Sequence, residues 1–487
     1  MLRPWRDPEV TCGRPDHVVV VGGGIAGLTA AFRLSQAGVD VTVVEPDRLG
    51  GKLQTSVFAG RAVDEAADAF LLRVPWALAL CHDLDLDGEL ISPAARSAEV
   101  FVNGARRPLP EGHVLGVPTD LDALARSGVV SAAAVERVAA DLELPADPAD
   151  PAVSGGDVAI GPYLRRRLGD EVVDHLIDPL VGGINAGDTA TLSLAAVVPQ
   201  LDAAARSGDP SLVRSCRSQR ERSLAAAPPG GAPPIFATPM GGMARLVDAL
   251  VAFMPAADIR LGRRVSAIEL SGPGPAARVE LDDGTVLDTE AVVVACPAHV
   301  AAPLLAGIAP EAAAVLGAVE HSSVSMVTLA FASGAVTTDP AMSGCLVPRD
   351  QGALVTAVSY ATSKWPQLRD PECDDVVLRV SAGRHRDDRH LDLDDVALVQ
   401  RVLDDLDRVV GLTAAPTEVR VTRWPHSFPQ YAPSHLDRIA AAESSLAGPI
   451  VLAGAALRGV GVPACIRTGE EAAAHLGATW PTRRSST

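Results

Sequence analysis

The chain has 487 residues, of which 48% are hydrophobic and 21% are charged, values typical of a folded globular protein and not of a disordered or fibrous one. This length exceeds the size that one hydrophobic core usually reaches, so we expect two or three domains, or one domain with insertions. The 60 acidic and 42 basic residues give a net charge of -18, which repels phosphate backbones and argues against nucleic-acid binding.

The cysteines indicate a reducing compartment. They are odd in number, widely spaced and never arranged as Cys-x-x-Cys, so neither a disulfide framework nor a zinc site is predicted. The first eight residues lack the apolar core of a signal peptide, and the apolar runs at 18–32 and 291–309 are interrupted by Gly, Pro or His. We therefore expect a cytoplasmic protein without a transmembrane segment, for which peripheral contact with a membrane stays open.

The first strong element is a β-branched run at 17–21, typical of a parallel strand that is buried on both faces. The glycine-rich turn 22–27 follows, then a helical pattern at 28–34 that Gly38 ends, and a second strand at 39–45. This order predicts the strand, turn and helix of a dinucleotide-binding unit.

Later segments predict an insert and a second sheet. Residues 121–200 are Ala-rich and helical in pattern, whereas the Arg, Ser, Pro and Gly of 204–234 predict a mobile surface segment. A buried strand at 291–295 resumes the first sheet, and alternation at 321–332, 353–360 and 374–382 indicates strands of another. A helix is predicted at 393–410, and a last strand at 449–453 leads into a glycine-rich turn.

The turn Gly22-x-Gly24-x-x-Gly27 has the spacing of a dinucleotide fingerprint. Its glycines permit a tight turn, close approach to a pyrophosphate and close packing of helix on strand. Glu45 ends the next strand, where a carboxylate accepts hydrogen bonds from a ribose diol and repels a 2'-phosphate. A dinucleotide without that extra phosphate is therefore favoured over NADP.

Two further glycine-rich segments extend the pattern. Gly50-Gly51-Lys52 follows Glu45 closely, and the segment 453–469 places glycines between a buried strand and a helix that begins near Pro463. The positive end of that helix could stabilise charge at the N1/C2 edge of a reduced flavin. Each segment could also be an ordinary structural turn.

These glycine segments, together with 237–243, resemble the flavin amine oxidase and protoporphyrinogen oxidase superfamily. The segments 161–180, 183–188 and 192–194 narrow the match, as do 102–104, 108–110, Arg423-Trp424 and 429–431. They resemble the oxygen-dependent coproporphyrinogen III and protoporphyrinogen IX oxidases over nearly the whole chain, and most of all the bacterial branch that forms coproporphyrin III.

The resemblance implies an α/β fold: a discontinuous Rossmann-like FAD domain, a mixed-sheet substrate domain and a helical insert. We assign 1–90, 236–300 and 440–480 to the first, 91–115 and 301–439 to the second, and 116–235 to the insert. The implied FAD contacts are Gly22, Gly23, Gly24, Ile25, Ala26, Gly27, Glu45, Pro46, Lys52, Ala66, Ala67, Asp68, Ala69, Val265, Trp424, Val460, Gly461 and Val462.

The implied reaction is the six-electron oxidation of coproporphyrinogen III by O2, with release of H2O2. Protoporphyrinogen IX oxidation is the nearest alternative; an amine oxidase, a carotenoid desaturase and a non-catalytic flavin-bound tetrapyrrole carrier are more distant ones. The carrier is motivated by three departures from the family pattern, Ala66, Asn185 and Ala464. Pathway logic adds a ferrochelatase that takes the product as a candidate partner.

No catalytic side chain and no metal ligand is predicted, because the flavin carries the chemistry and the histidines form no metal-binding motif. The basic residue expected to bind a substrate propionate is absent at Val74 and Ala98, where it would align. Guanidinium groups suit carboxylates, so the candidates become Arg73, Arg96, Arg106 and Arg107. The run 165–167 is interpreted as a solvated helix face, and Trp424 and Tyr431 could be core residues without the resemblance.

Overall fold

A parallel five-stranded sheet forms the centre of the molecule in the computed structural model, which describes residues 15–145, 147, 150, 152, 154–226, 234–270, 277–336, 339–369, 375–446 and 448–478. Its strands are, in spatial order, Asp258–Leu261, Asp40–Glu45, His17–Val21, Ala291–Val294 and Ile450–Leu452. The valines of the central strands are buried because both faces of the sheet are covered. Three distant stretches of the chain therefore build one sheet.

Helices cover both faces of this sheet. On one face lie Ile25–Gln36, Ala244–Ala252 and Val462–His475, whose buried residues share a core with Val18, Val20 and Val43. The other face carries Ala298–Leu305, Pro310–Gly317, His435–Ser445 and the antiparallel strands Val265–Leu270, Ala277–Leu281 and Val286–Thr289. This doubly covered sheet matches the predicted dinucleotide fold.

The sequence-based boundary at residue 301 divides helix Ala298–Leu305 and separates helix Pro310–Gly317 from the first domain. In the structure both helices pack against Val19, Val21 and Val294 of the parallel sheet. Their small alanine side chains allow this close approach. With that difference, the three-part division of the chain remains our proposal.

A seven-stranded mixed sheet forms the second layer. Its order is Glu418–Pro429, His321–Phe331, Val376–Ala382, Val355–Tyr360, Met342–Leu346, Ser97–Val102 and Ala105–Pro108. The pair Met342–Leu346 and Ser97–Val102 is parallel, whereas the other neighbours are antiparallel. Helix Asp395–Val410 buries its apolar face on this sheet, so the predicted mixed-sheet architecture is confirmed.

The helical insert packs around a core of its own. Its α-helices are Leu121–Ser127, Ala132–Ala140, Ile160–Leu168, Asp170–Val172, Gly183–Asn185, Leu194–Val197, Pro199–Ala205 and Leu212–Ala225, and Val173–Gly182 is a π-helix. The expectation of a mobile surface segment at 204–234 is wrong for the first turns of helix Leu212–Ala225, because Leu212, Val213 and Cys216 are buried in this core, whereas residues 220–226 are exposed. Residues 227–233 of that predicted segment lie outside the described residues.

Short elements connect these layers. The strands are Thr55–Phe58, Arg61–Asp64, Phe70–Leu71, Leu90–Ile91, His113–Val114, Val117–Pro118 and Phe236–Pro239; the α-helices are Pro75–Asp83, Ala361–Lys364 and Ala455–Arg458; and the 3-10 turns are Asp87–Glu89, Asp141–Glu143, Arg349–Gln351 and Pro366–Leu368. Among the described residues, no helix is both long and apolar enough to cross a membrane.

Candidate flavin and substrate site

The first glycine turn has the geometry that the fingerprint predicts. Gly22 has φ +107°, and a Cβ there would lie 3.0 Å from the carbonyl oxygen of Ala295. A Cβ at Gly27 would collide with the carbonyl oxygen of Gly22, whereas one at Gly24 would meet no atom within 4 Å. Two glycines therefore close the turn, and the third borders open space at the start of helix Ile25–Gln36, where unpaired N–H groups can bind an anion.

The Glu45 carboxylate is held at the end of its strand by two backbone N–H groups. Gly23 donates to Oε2 at 2.8 Å, and Asp47 donates to Oε1 at 2.9 Å. These bonds fix the carboxylate beside the glycine turn, where it can accept from a ribose diol. Val265 is buried in a core cluster that also includes Val44, the residue before Glu45. Pro46, the residue after Glu45, is exposed.

The second glycine pair lies against the first turn. Gly50 donates its N–H to the carbonyl oxygen of Gly23 at 2.7 Å, and a Cβ at Gly51 would lie 3.4 Å from the Cα atom of Gly24. The Lys52 ammonium follows, 5.8 Å from the ring centre of Phe428. Burial lowers the pKa of Lys52 from its ordinary value, although Cys465 acts weakly in the opposite direction.

The loop 65–69 joins the first domain to the second sheet through Asp68. Its carboxylate accepts from the Lys364 ammonium at 2.9 Å, the Arg379 guanidinium at 3.0 Å and the Trp365 indole at 3.1 Å. Burial alone would raise the pKa of Asp68, but the two cations hold it well below its usual range. All three protein partners meet the same carboxylate oxygen, Oδ2, which ties this loop to the second sheet.

The neighbouring residues of this loop also have defined partners. Arg379 donates a hydrogen bond to the carbonyl oxygen of Ala66, and the Trp424 indole N–H lies 3.4 Å from the carbonyl oxygen of Glu65. Ala66, Ala67 and Ala69 are half-buried. The structure therefore brings Trp424 to the loop 65–69.

The C-terminal turn ends at a helix start. Gly454 and Gly459 have φ of +117° and +138°, and Gly461 is the N-cap of helix Val462–His475, which has Pro463 in its first turn. Val460 and Gly461 are accessible, whereas Val462 is buried. This turn therefore presents unpaired backbone N–H groups and a partial positive charge, as the sequence predicts.

Sequence reasoning missed two side chains beneath that turn. The Tyr431 hydroxyl contacts the backbone of Ala455 and Gly459, and the His435 imidazole contacts Ala456 and Leu457. The sequence indicates Tyr431 only as part of the segment 429–431 that carries the resemblance; without that resemblance, it could be a core residue. The sequence signal for these two residues is a tyrosine followed four residues later by a histidine. If both side chains are buried, their polar groups need hydrogen-bond partners.

The four candidate arginines occupy two separate regions. Arg73 is exposed shortly after the loop 65–69 and the strand Phe70–Leu71. Arg96 is exposed directly before strand Ser97–Val102, which pairs with the edge strand Ala105–Pro108 of Arg106 and Arg107. Arg106 binds the Glu99 carboxylate at 3.3 Å, and Arg107 is exposed on the same edge strand. That strand is six neighbours from the strand of Trp424, roughly 29 Å along the sheet.

The sequence profile of the flavin containing amine oxidoreductase family matches residues 25–476. The chain belongs to this family, so it is an oxidoreductase enzyme with a flavin cofactor.

Particular relatives within the family are more informative. The chain is 33% identical over 466 residues to a coproporphyrinogen III oxidase of Bacillus subtilis, covering 94% of this chain and 97% of the relative. It is 36% identical over 465 residues to a coproporphyrinogen III oxidase of Mycobacterium tuberculosis, covering 93% and 95% of the two chains. A crystal structure from Exiguobacterium, provisionally named a protoporphyrinogen oxidase, superimposes with a TM-score of 0.82 at 30% identity, covering 95% of this chain and 98% of that one. The predicted family is confirmed.

Proposed function

We propose that this protein binds FAD and oxidises coproporphyrinogen III to coproporphyrin III, with O2 as the electron acceptor. The observation that carries the proposal is similarity over more than nine-tenths of the chain to relatives of that name. The glycine turns and the Glu45 carboxylate, which FAD would need, are present in this chain. The reaction belongs to heme biosynthesis.

The residues present fit FAD at three places. Open space beside Gly24 and the start of helix Ile25–Gln36 suit the pyrophosphate, and the Glu45 carboxylate suits the ribose. The turn at Val460, Gly461 and Val462 suits the flavin ring, because the N–H groups there favour negative charge. Lys52 adds a cation between the first turn and the second sheet, and Trp424 borders the loop 65–69.

When bound, FAD would supply the redox chemistry, namely hydride removal from a bridging meso carbon in each of three two-electron rounds, with O2 as the final acceptor and H2O2 as its product. The chain needs to supply no general acid or base, because the pyrrole nitrogens can lose their protons to water. Its residues bind the substrate and orient the meso carbon. Aromatisation of the macrocycle supplies the driving force.

Substrate propionates require local positive charge, because the net charge of the protein is -18. Arg73 is the strongest candidate, since it is exposed and follows the loop 65–69 closely along the chain; Arg96 is exposed directly before strand Ser97–Val102. Arg106 already has Glu99 as a partner, and Arg107 shares its distant edge strand. Four propionates on coproporphyrinogen III and two on protoporphyrinogen IX make the second compound the alternative substrate.

We further propose a cytoplasmic location, with peripheral membrane contact as an added feature. The free thiols of Cys81, Cys216, Cys296, Cys345 and Cys465 agree with a reducing compartment. A ferrochelatase, which would consume the porphyrin, is the proposed partner.

The test supplies each porphyrinogen in air and records porphyrin fluorescence and peroxide together. We expect faster turnover of coproporphyrinogen III. Three H2O2 should form per porphyrin, because each O2 accepts two of the six electrons. Faster turnover of protoporphyrinogen IX would transfer the assignment to the alternative. Tight porphyrin binding without oxygen consumption would indicate a carrier, and flavin bleaching by an amine or turnover of a polyene would indicate the other oxidoreductase classes.

A further inference from the structure

Side chains from below fix the backbone of the C-terminal turn 454–459. Gly454 donates its N–H to the Thr468 hydroxyl at 2.9 Å, and Arg467 donates to the carbonyl oxygen of Arg458 at 3.1 Å. The guanidinium of Arg458 pairs in turn with the Glu443 carboxylate. These bonds hold both ends of the turn, and two further side chains, Tyr431 and His435, contact its backbone.

The Tyr431 hydroxyl bridges the two ends of the turn. It donates to the carbonyl oxygen of Ala455 and accepts from the N–H of Gly459 at 2.9 Å. Burial raises the pKa of Tyr431, so the hydroxyl keeps the proton that it donates. A Cβ at Gly459 would lie 2.6 Å from the Ala464 side chain, which shows how closely the turn packs on the following helix.

The His435 imidazole holds the middle of the turn. Its Nε2 atom lies 3.0 Å from the carbonyl oxygen of Ala456 and 3.1 Å from that of Leu457, so Nε2 carries the proton because carbonyls only accept. Burial lowers the pKa of His435 to about 4, which leaves the ring neutral near pH 7. The ring stacks on Tyr431 with 4.1 Å between centroids and 15° between planes.

We propose that Tyr431 and His435 are positioning residues that hold the turn 454–459, and through it the N–H groups at the start of helix Val462–His475, against the flavin. This inference rests on the proposed binding of FAD at that turn. The pair comes from the end of strand Glu418–Pro429 and the start of helix His435–Ser445, so it acts through the turn backbone and not on the substrate.

The expected effect on the flavin follows from charge. N–H groups aimed at the N1/C2 edge stabilise the reduced, electron-rich flavin more than the oxidised one. When the turn relaxes, affinity for reduced FAD should fall more than affinity for oxidised FAD. A tenfold difference between the two losses corresponds to a potential about 30 mV lower for this two-electron couple.

The test compares full-length holoenzymes of wild type, Tyr431→Phe, His435→Leu and His435→Gln. Tyr431→Phe keeps the ring stack and removes the hydroxyl, while His435→Gln keeps an N–H donor that His435→Leu lacks. Tyr163→Phe is the matched control, because Tyr163 is also buried but lies in the core of the helical insert. Flavin release on dilution gives the Kd, and equilibration with a redox dye gives the potential.

We expect Tyr431→Phe and His435→Leu to raise the Kd for FAD about tenfold and lower the potential by about 30 mV. His435→Gln should recover most of both, and Tyr163→Phe should change neither. Unchanged Kd and potential in folded Tyr431→Phe or His435→Leu would overturn the proposal, as would His435→Gln behaving like His435→Leu. A wild type that binds no flavin would instead refute the proposed function, so the two failures are distinguishable.

Discussion

Substitution of Glu45 by Gln tests the nucleotide end of the site. Glutamine keeps the length of the side chain but removes its charge and replaces one acceptor oxygen with an NH2 group. Because the two carboxylate oxygens accept from Gly23 and Asp47, one of these N–H groups would then face a donor. The ribose would also lose a charged acceptor. A hydrogen bond to a charged group contributes about 2 kcal/mol, so the Kd for FAD should rise roughly 30-fold.

The assay is fluorescence titration of flavin-free protein with FAD. Glu290→Gln is the matched control, because Glu290 also accepts a backbone N–H, from Asp16 at 2.7 Å, but precedes strand Ala291–Val294 at the other end of the parallel sheet. Its Kd should stay within twofold of wild type. An unchanged Kd in Glu45→Gln would refute the ribose contact, and an equal rise in Glu290→Gln would show a general effect on the sheet.

Three further outcomes are expected. Asp68→Asn should lower the Tm by several degrees because it leaves two cations without their counter-ion, whereas Asp258→Asn at a surface pair should lower it by less than 1 °C; equal shifts would contradict this. Below about pH 6.5 a histidine in the unfolded chain binds a proton, whereas buried His435 binds one only near pH 4. The free energy of unfolding should therefore decrease as the pH falls from about 6.5 to about 4, and it should decrease less steeply in His435→Gln. Urea unfolding midpoints measured against pH test this. Arg73→Ala should raise the KM for coproporphyrinogen III about tenfold and Arg107→Ala should not, in steady-state assays; the reverse order would move the propionate site to the edge strand.

The geometry of the first glycine turn could be predicted because its determinants are local. Gly22, Gly24, Gly27 and Glu45 lie within one strand-turn-helix-strand unit, and glycine at position 22 permits the positive φ found there. The strands His321–Phe331, Val355–Tyr360 and Val376–Ala382 and the helix Asp395–Val410 likewise follow from the periodicity of their own residues.

The contacts of Asp68 could not be predicted, since Lys364 and Arg379 are distant along the chain and no spacing rule connects them. The helix Leu212–Ala225 was missed for a different reason. Its Arg and Ser content dominates the composition, but Leu212, Val213 and Cys216 are enough to bury its first turns. Composition averages over a segment, whereas burial is decided by a few positions.

The order of strands in the parallel sheet constrains how the protein can be made. Ile450–Leu452 pairs with Ala291–Val294, which pairs with the amino-terminal strand His17–Val21. The sheet therefore cannot be completed until Ile450–Leu452 and the helix Val462–His475 have been synthesised, long after His17–Val21. A polypeptide that stops before Ile450 would leave the edge of strand Ala291–Val294 unpaired and would expose apolar surface to chaperones and proteases.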